Sequence, residues 1–224
     1  MPVRAFLFDF DGLILDTELA SRAGWELLYR EHGHELPADL WATLVGTTHA
    51  AWDPRAHLEE LVGQPLEWEA LNERRYAHEL AMIEAEELRP GIAEYLAAAR
   101  QHGLRRAIVS SSSRRWVDMH LERLEEAVGW DAICTADGDP ARAKPSPTLY
   151  LEALRELDVA AGDAVAFEDS PNGVRAAKSA GVFCVAIPNE VTRDLGLEEA
   201  GADLVLDSLA DLPPESLFSR LAEG

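Results

Sequence analysis

Lysine is nearly missing from this chain: Lys144 and Lys178 stand against eighteen arginines. Lys and Arg together total 20, against 41 Asp and Glu, for a net charge of −21. Such a surface offers no basic face to a polyanion, which argues against nucleic acid and anionic membranes as partners. It also repels a small anion at long range. Any anion site must therefore be made positive locally, by a metal, a Lys or Arg, or helix N-termini. Cysteine is scarce too. Cys134 and Cys184 lie far apart in apolar stretches and read as buried free thiols, which fits a reducing compartment. No apolar run reaches the ~18 residues of a membrane helix, and no cationic segment followed by an apolar region opens the chain. The expectation is a soluble, cytoplasmic protein without repeats or low-complexity tracts. What is present is 224 residues, 47% hydrophobic, enough for a sizeable core in one domain or two.

The stretch that organises the rest is Phe8-Asp9-Phe10-Asp11-Gly12. The preceding Val3–Phe8 segment is short, apolar and rich in strand formers, so it reads as a buried strand. It delivers two carboxylates onto a glycine turn. Like charges held so close cost energy unless a cation lies between them. A hard divalent ion such as Mg²⁺ is the natural candidate, since it takes carboxylate and carbonyl oxygens. The plainer alternative is a polar strand end with Asp11-Gly12 as a turn.

Downstream, the chain changes character once. From about Glu18 to Glu87 it reads as amphipathic helices, over 18–33, 36–44, 54–61 and 66–83, with no convincing strand. At Leu88-Arg89-Pro90-Gly91 a break occurs, and short apolar strands then alternate with helices. Strands are expected at 106–109, 132–134, 164–167, 183–187 and 204–206. Helices are expected at 92–102, 114–126, 146–157 and 174–180. This alternation predicts an α/β fold: a Rossmann-like parallel sheet in a three-layer α/β/α core, with an inserted all-helical cap. The core would comprise residues 1–15 and 88–224, and the cap 16–87.

Ligands of open parallel sheets bind at the carboxyl ends of the strands. Three strands here end in polar chemistry: Asp9 with Asp11, Ser110, and Glu168 with Asp169. Each has an ordinary reading. One serine of Ser110–Ser113 can N-cap the next helix, with Ser112 or Ser113 capping while Ser110 binds phosphate oxygens. Lys144, taken alone, reads as an exposed loop cation before a proline. Glu168-Asp169-Ser170-Pro171 can be a helix start. Two acidic pairs converging on one ion is the economical alternative.

Together, Asp9-Phe10-Asp11-Gly12, Ser110, Lys144-Pro145-Ser146-Pro147 and Glu168-Asp169-Ser170-Pro171-Asn172-Gly173 resemble the motifs of the haloacid dehalogenase-like (HAD) hydrolase superfamily in order and spacing. The helical insertion resembles the small-cap subfamily of sugar-phosphate phosphatases and β-phosphoglucomutases. The resemblance implies a Mg²⁺-dependent phosphatase acting on a small-molecule phosphate ester. Asp9 would be the nucleophile and Asp11 the acid and base. Mg²⁺ would be held by Asp9, the Asp11 carbonyl and Asp169, with Glu168 nearby. Ser110, Ser111 and Lys144 would hold the phosphoryl oxygens. Asp16-Thr17-Glu18 resembles the phosphatase pattern, which makes Glu18 a substrate-side candidate. The presence of Asp11 disfavours dehalogenation, and a cap without lysine disfavours Schiff-base phosphonate cleavage. The mutase arginine that grips a second phosphate falls at His49, and the mutase histidine after the first motif falls at Ser21. Both changes count against the alternative, a β-phosphoglucomutase-type isomerase. His49 remains a candidate anion ligand. Arg22, Arg74 and Arg75 could reach the site from cap helices, though each reads first as a solvated side chain. Trp25, Trp41, Trp52 and Trp68 are expected in the cap core. The acidic surface fits a monomer or a weak dimer.

Overall fold

In the computed structural model, residues 2–41, 43–44, 52–124 and 129–223 are described. Six parallel strands form one sheet in the order β3-β2-β1-β4-β5-β6: β1 (Ala5–Phe8), β2 (Arg105–Ser110), β3 (Ala132–Thr135), β4 (Ala164–Glu168), β5 (Phe183–Ala186) and β6 (Leu204–Val205). The strand order reverses about β1. Strand alternation sends Ala5 and Leu7 to one face and Phe6 and Phe8 to the other. The first face is covered by α7 (Thr148–Leu157) and α8 (Pro171–Ser179), through Leu149, Tyr150, Val174 and Ala177. The second is covered by α5 (Ile92–His102), α6 (Arg114–Arg123) and α9 (Pro214–Glu223), through Tyr95, Leu96, Val117, Leu217 and Leu221. Phe6 meets Phe167 edge-on and Phe8 stacks on it, at 5.2 and 4.9 Å between ring centres. A sheet covered on both faces explains why its strands are apolar throughout.

Register brings the polar strand ends together. Phe8 lies beside Ile108 of β2 and beside Phe167 of β4. Asp9, Ser110 and Glu168-Asp169 therefore leave the sheet at one carboxyl edge.

Between β1 and α5 lie α1 (Glu18–Glu31), α2 (Ala38–Trp41), α3 (Pro54–Val62) and α4 (Trp68–Ile83). They share a separate core of Trp25, Leu28, Tyr29, Trp41, Leu58 and Leu71, with Trp52 and Trp68 packed against it. The four tryptophans are where the sequence places them. The chain leaves and rejoins the sheet side by side. The Arg89 amide donates to the Ile14 carbonyl at 3.0 Å. The Arg89 guanidinium donates to the carbonyls of Gly12 and Pro188.

Several boundaries differ from expectation. α8 begins at Pro171 rather than Val174, because the Ser170 hydroxyl caps it by accepting from the Gly173 amide at 3.2 Å. α7 begins at Thr148 rather than Ser146. α2 is a single turn ending at Trp41, and α6 ends at Arg123; Glu126 lies outside the described residues. The terminal helix α9 was not expected at all. Pro213-Pro214 reads as a breaker, yet Pro214 is its first residue and Leu217 and Leu221 seat it on the sheet.

His120 on α6 is buried between Phe10 and Trp116, with ring centres 6.4 and 4.3 Å away. Neither ring nitrogen has a partner among the described residues. Burial pushes its pKa below the ordinary imidazole value, more than Asp11 raises it. Below about pH 6.5 the unfolded chain then binds more protons than the folded one, so this residue lowers stability as pH falls and is neutral above that pH. His120→Leu is expected to flatten that component. Denaturant unfolding of both proteins at pH 7.5, 6.5 and 5.5 checks it. A constant stability difference across the three pH values would show that His120 does not titrate differently on folding.

Candidate active site

Asp9 follows the last residue of β1, and its amide donates to the Phe167 carbonyl at 3.0 Å, so its backbone is fixed by the sheet. Its Oδ1 accepts from the Phe10 amide and from Lys144 Nζ, both at 2.7 Å. Lys144 Nζ lies 2.7 Å from Glu168 Oε1 as well. The Tyr150 hydroxyl also donates to that oxygen. Lys144 is 1% exposed, so its reading as an exposed loop cation is corrected: the core encloses it between two carboxylates.

Asp169 completes the acidic group. One ligand oxygen from each of Asp9, Glu168 and Asp169 falls within 4.8 Å of the others. Asn189, just beyond β5, donates to Asp169 Oδ2 at 2.7 Å, and its own carbonyl oxygen is held by the amides of Val191 and Thr192. Two glycines make room. A Cβ on Gly12, which has φ +78°, would fall 2.1 Å from Asp169 Oδ2, and one on Gly173 would fall 1.7 Å from Glu168 Oε2.

Three buried carboxylates face one ammonium, and the charge does not balance. Burial pushes Asp9 up, against the opposing pull of Lys144. Burial and then Asp9 push Glu168 up to about 8. Burial, then Asp9 and Glu18, push Asp169 well above the carboxylate range. Burial would lower Lys144, but Asp9 and Glu168 outweigh it, and it stays charged. Glu168 Oε2 and Asp169 Oδ1 are buried without a hydrogen-bond partner among the described residues. An oxygen-only set, short of positive charge and with orphaned oxygens, fits a hard divalent cation.

Asp11 faces away from this group. Its carboxylate accepts from the Thr17 hydroxyl (2.9 Å), the Trp116 indole (2.7 Å), the Ser112 hydroxyl (2.6 Å) and the Ser110 hydroxyl (3.3 Å). Of the serine run, Ser113 is the residue that caps α6, accepting from the Trp116 amide. Ser110 is buried at the site, where its hydroxyl also accepts from the Ser112 amide. The Ser111 hydroxyl accepts from the Lys144 amide at 3.1 Å and ties the lysine loop to the end of β2.

Above these groups is a cavity of about 810 Å³, bounded on its other side by residues of α1 and α4. Asp9, Asp11, Ser110, Ser111 and Lys144 form its floor; Glu18, Ser21, Trp25, Arg75, Tyr76 and Glu79 line its far wall. Burial, then Asp11 and Asp9, push Glu18 up to about 8. His49 lies outside the described residues. Of the three arginines singled out in the cap sequence, Arg22 pairs with Glu26 and Arg74 with Glu31, as solvated side chains do. Arg75 departs from expectation: it is 8% exposed and faces the cavity. Tyr150, Trp116 and Asn189 were not foreseen. Asn189 ends an apolar strand, the same signal that exposed Asp9 and Ser110; Trp116 and Tyr150 carry no local sign of their partners.

The model of the haloacid dehalogenase-like hydrolase family matches residues 3–181. A Bacillus subtilis protein named "Putative phosphatase YhcW" is 40% identical over 98% of both chains. A Thermotoga maritima protein named phosphorylated carbohydrates phosphatase is 28% identical over 99% of both. Among solved structures, a CbbY variant from Rhodobacter sphaeroides in complex with xylulose-1,5-bisphosphate superimposes with a TM-score of 0.70. It is 33% identical, over 94% of this chain and 96% of that one.

Proposed function

Because the chain belongs to the haloacid dehalogenase-like hydrolase family, we propose that this phosphoric monoester hydrolase is a Mg²⁺-dependent phosphatase for a small sugar phosphate. The observation that carries the reading is the buried group of Asp9, Glu168 and Asp169 around Lys144, at the floor of an open cavity.

In this reading Asp9 is the nucleophile. Its free oxygen attacks phosphorus, the bond from phosphorus to the ester oxygen breaks, and an aspartyl-phosphate forms. Asp11 gives a proton to the departing oxygen. It then takes one from the water that attacks the aspartyl-phosphate, releasing inorganic phosphate and restoring Asp9. The four donors that hold Asp11 in the present structure must yield for this to happen. Lys144, the Ser110 hydroxyl and the amides after β2 neutralise the phosphoryl oxygens, with Ser111 positioning the lysine loop. Asp9, the Asp11 carbonyl and Asp169 would hold Mg²⁺, with Glu168 nearby; when bound, the ion neutralises charge on the phosphoryl group. Phosphoryl transfer depends mainly on such positioning and charge neutralisation. Residues 16–87 act as a cap that closes over the substrate and excludes water, hinged where Ile14 and Arg89 run side by side.

The test is phosphorus NMR with Mg²⁺ and a pool of sugar phosphates, including β-glucose 1-phosphate and a trace of the 1,6-bisphosphate. Inorganic phosphate should grow. Transfer between sugar positions without phosphate release would make the enzyme a mutase instead. Metal removal gives an independent check. Mg²⁺ at about a hundred times its Kd should add roughly 2.7 kcal/mol of stability, seen as a higher melting temperature that EDTA reverses. A melting curve indifferent to Mg²⁺ would remove the metal from the reading.

A further inference from the structure

The far wall of the cavity carries one buried cation, and it is already engaged. Arg75 Nη1 lies 2.9 Å from Glu79 Oε2, and the two residues are 8% and 5% exposed. The guanidinium is sandwiched between aromatic faces, 5.0 Å from the Trp25 ring centre and 4.3 Å from that of Tyr76. Ser21 of α1 lines the same cavity. Helix α1 approaches closely here because residue 24 is glycine: a Cβ there would come within 3.0 Å of Arg75 Cγ. The pair is thus built in, with two aromatic rings against the guanidinium.

Glu18 lines the same wall, its carboxyl pushed up to about 8 by burial and then by Asp11 and Asp9. Elsewhere on the lining, Lys144 is committed to Asp9 and Glu168, and Arg55 is exposed, with Asp53 Oδ1 accepting from its backbone amide at 2.9 Å. A second phosphoryl group reaching this wall would meet two carboxyl groups and, among the described residues, no buried cation outside the Arg75–Glu79 ion pair, in which Arg75 Nε has no hydrogen-bond partner. A buried anion without such a partner is strongly disfavoured.

We propose that Glu79, by pairing with Arg75, and Glu18 on the same wall act as a specificity filter against a second phosphoryl group. The substrate then carries one phosphoryl group on an uncharged, hydroxylated remainder. Sugar hydroxyls donate to the two carboxyl groups, and the apolar ring faces of Trp25 and Tyr76 border the carbon skeleton. The proposal rests on the phosphatase reading but fails separately from it.

The experiment compares monophosphates with bisphosphates of the same sugar: fructose 1- and 6-phosphate with fructose 1,6-bisphosphate, and glucose 1-phosphate with glucose 1,6-bisphosphate. Binding is read by calorimetry in Mg²⁺ on full-length Asp9→Asn, so that bound ester stays intact. Phosphate release is read on the wild-type chain. The filter predicts at least about tenfold tighter binding of a monophosphate than of its bisphosphate partner. Adding Glu79→Gln should narrow that ratio about tenfold, chiefly by improving the bisphosphate, because Arg75 is released to it. Should Glu79→Gln not fold, Glu18→Gln is expected to narrow the ratio in the same direction. Bisphosphates bound as tightly as monophosphates, ratios unmoved by both substitutions, or no monophosphate bound at all would each overturn the filter. Preferential monophosphate binding without phosphate release by the wild type would leave the filter standing and overturn the phosphatase reading instead.

Discussion

Asp9→Asn is expected to lower phosphate release by at least about 10⁴-fold while leaving the fold intact, a loss of the size seen when a catalytic nucleophile is removed. The amide presents no anionic oxygen to phosphorus, and no other described group takes its position at the end of β1. Stability should not fall with activity. Burial already disfavours the Asp9 carboxylate, and Asp9 in turn disfavours ionisation of Glu168 and Asp169. Removing one of three buried negative charges lets Lys144 balance more of the remainder. Without metal the variant should therefore melt at the wild-type temperature or above it. Phosphate label that stays on the acid-quenched wild-type chain should be absent from the variant. Full Mg²⁺-dependent turnover by Asp9→Asn would mean that the phosphoryl group does not pass through this residue.

The sheet edge was legible because β1, β2 and β4 are short apolar runs that stop at polar residues. Parallel pairing then puts Asp9, Ser110 and Glu168-Asp169 at one edge whatever the intervening loops do. The motif resemblance places Lys144 at the site, but its burial was not legible from the residues around it. A lysine before a proline looks like a surface loop, and its burial depends on Asp9, Glu168 and Tyr150, which come from three other elements. Arg75 failed for a related reason. Arg and Glu four residues apart on a helix ordinarily mark a solvated face. Here the close approach of α1 at Gly24 turns that face inward, and nothing within α4 announces it. Helix α9 was hidden by its two prolines, although Leu217 and Leu221 carry the helical spacing that a reading past Pro214 would have caught.

Lys144→Met is expected to be the most damaging single change to stability. It leaves Asp9, Glu168 and Asp169 buried together with no cation, and breaking a buried pair from one side costs about 3–5 kcal/mol. For a chain of this size that is a fall of roughly 10 °C in melting temperature. The loss need not mean that the lysine stabilises the fold in net terms, because most of it is the penalty on carboxylates left behind. Two measurements separate these contributions. Adding Glu168→Gln to Lys144→Met removes one stranded charge and should restore part of the lost melting temperature. Mg²⁺ should raise the melting temperature of Lys144→Met more than that of the wild type, since it supplies the positive charge the variant lacks. Lys144→Arg should not rescue either protein: the site is 1% exposed, and a planar guanidinium does not fit where one compact ammonium contacts two carboxylates at 2.7 Å. A Lys144→Met protein that melts with the wild type in the absence of metal would show that the acidic group holds enough protons to balance itself. The case for a divalent cation built on its unbalanced charge would fall with it.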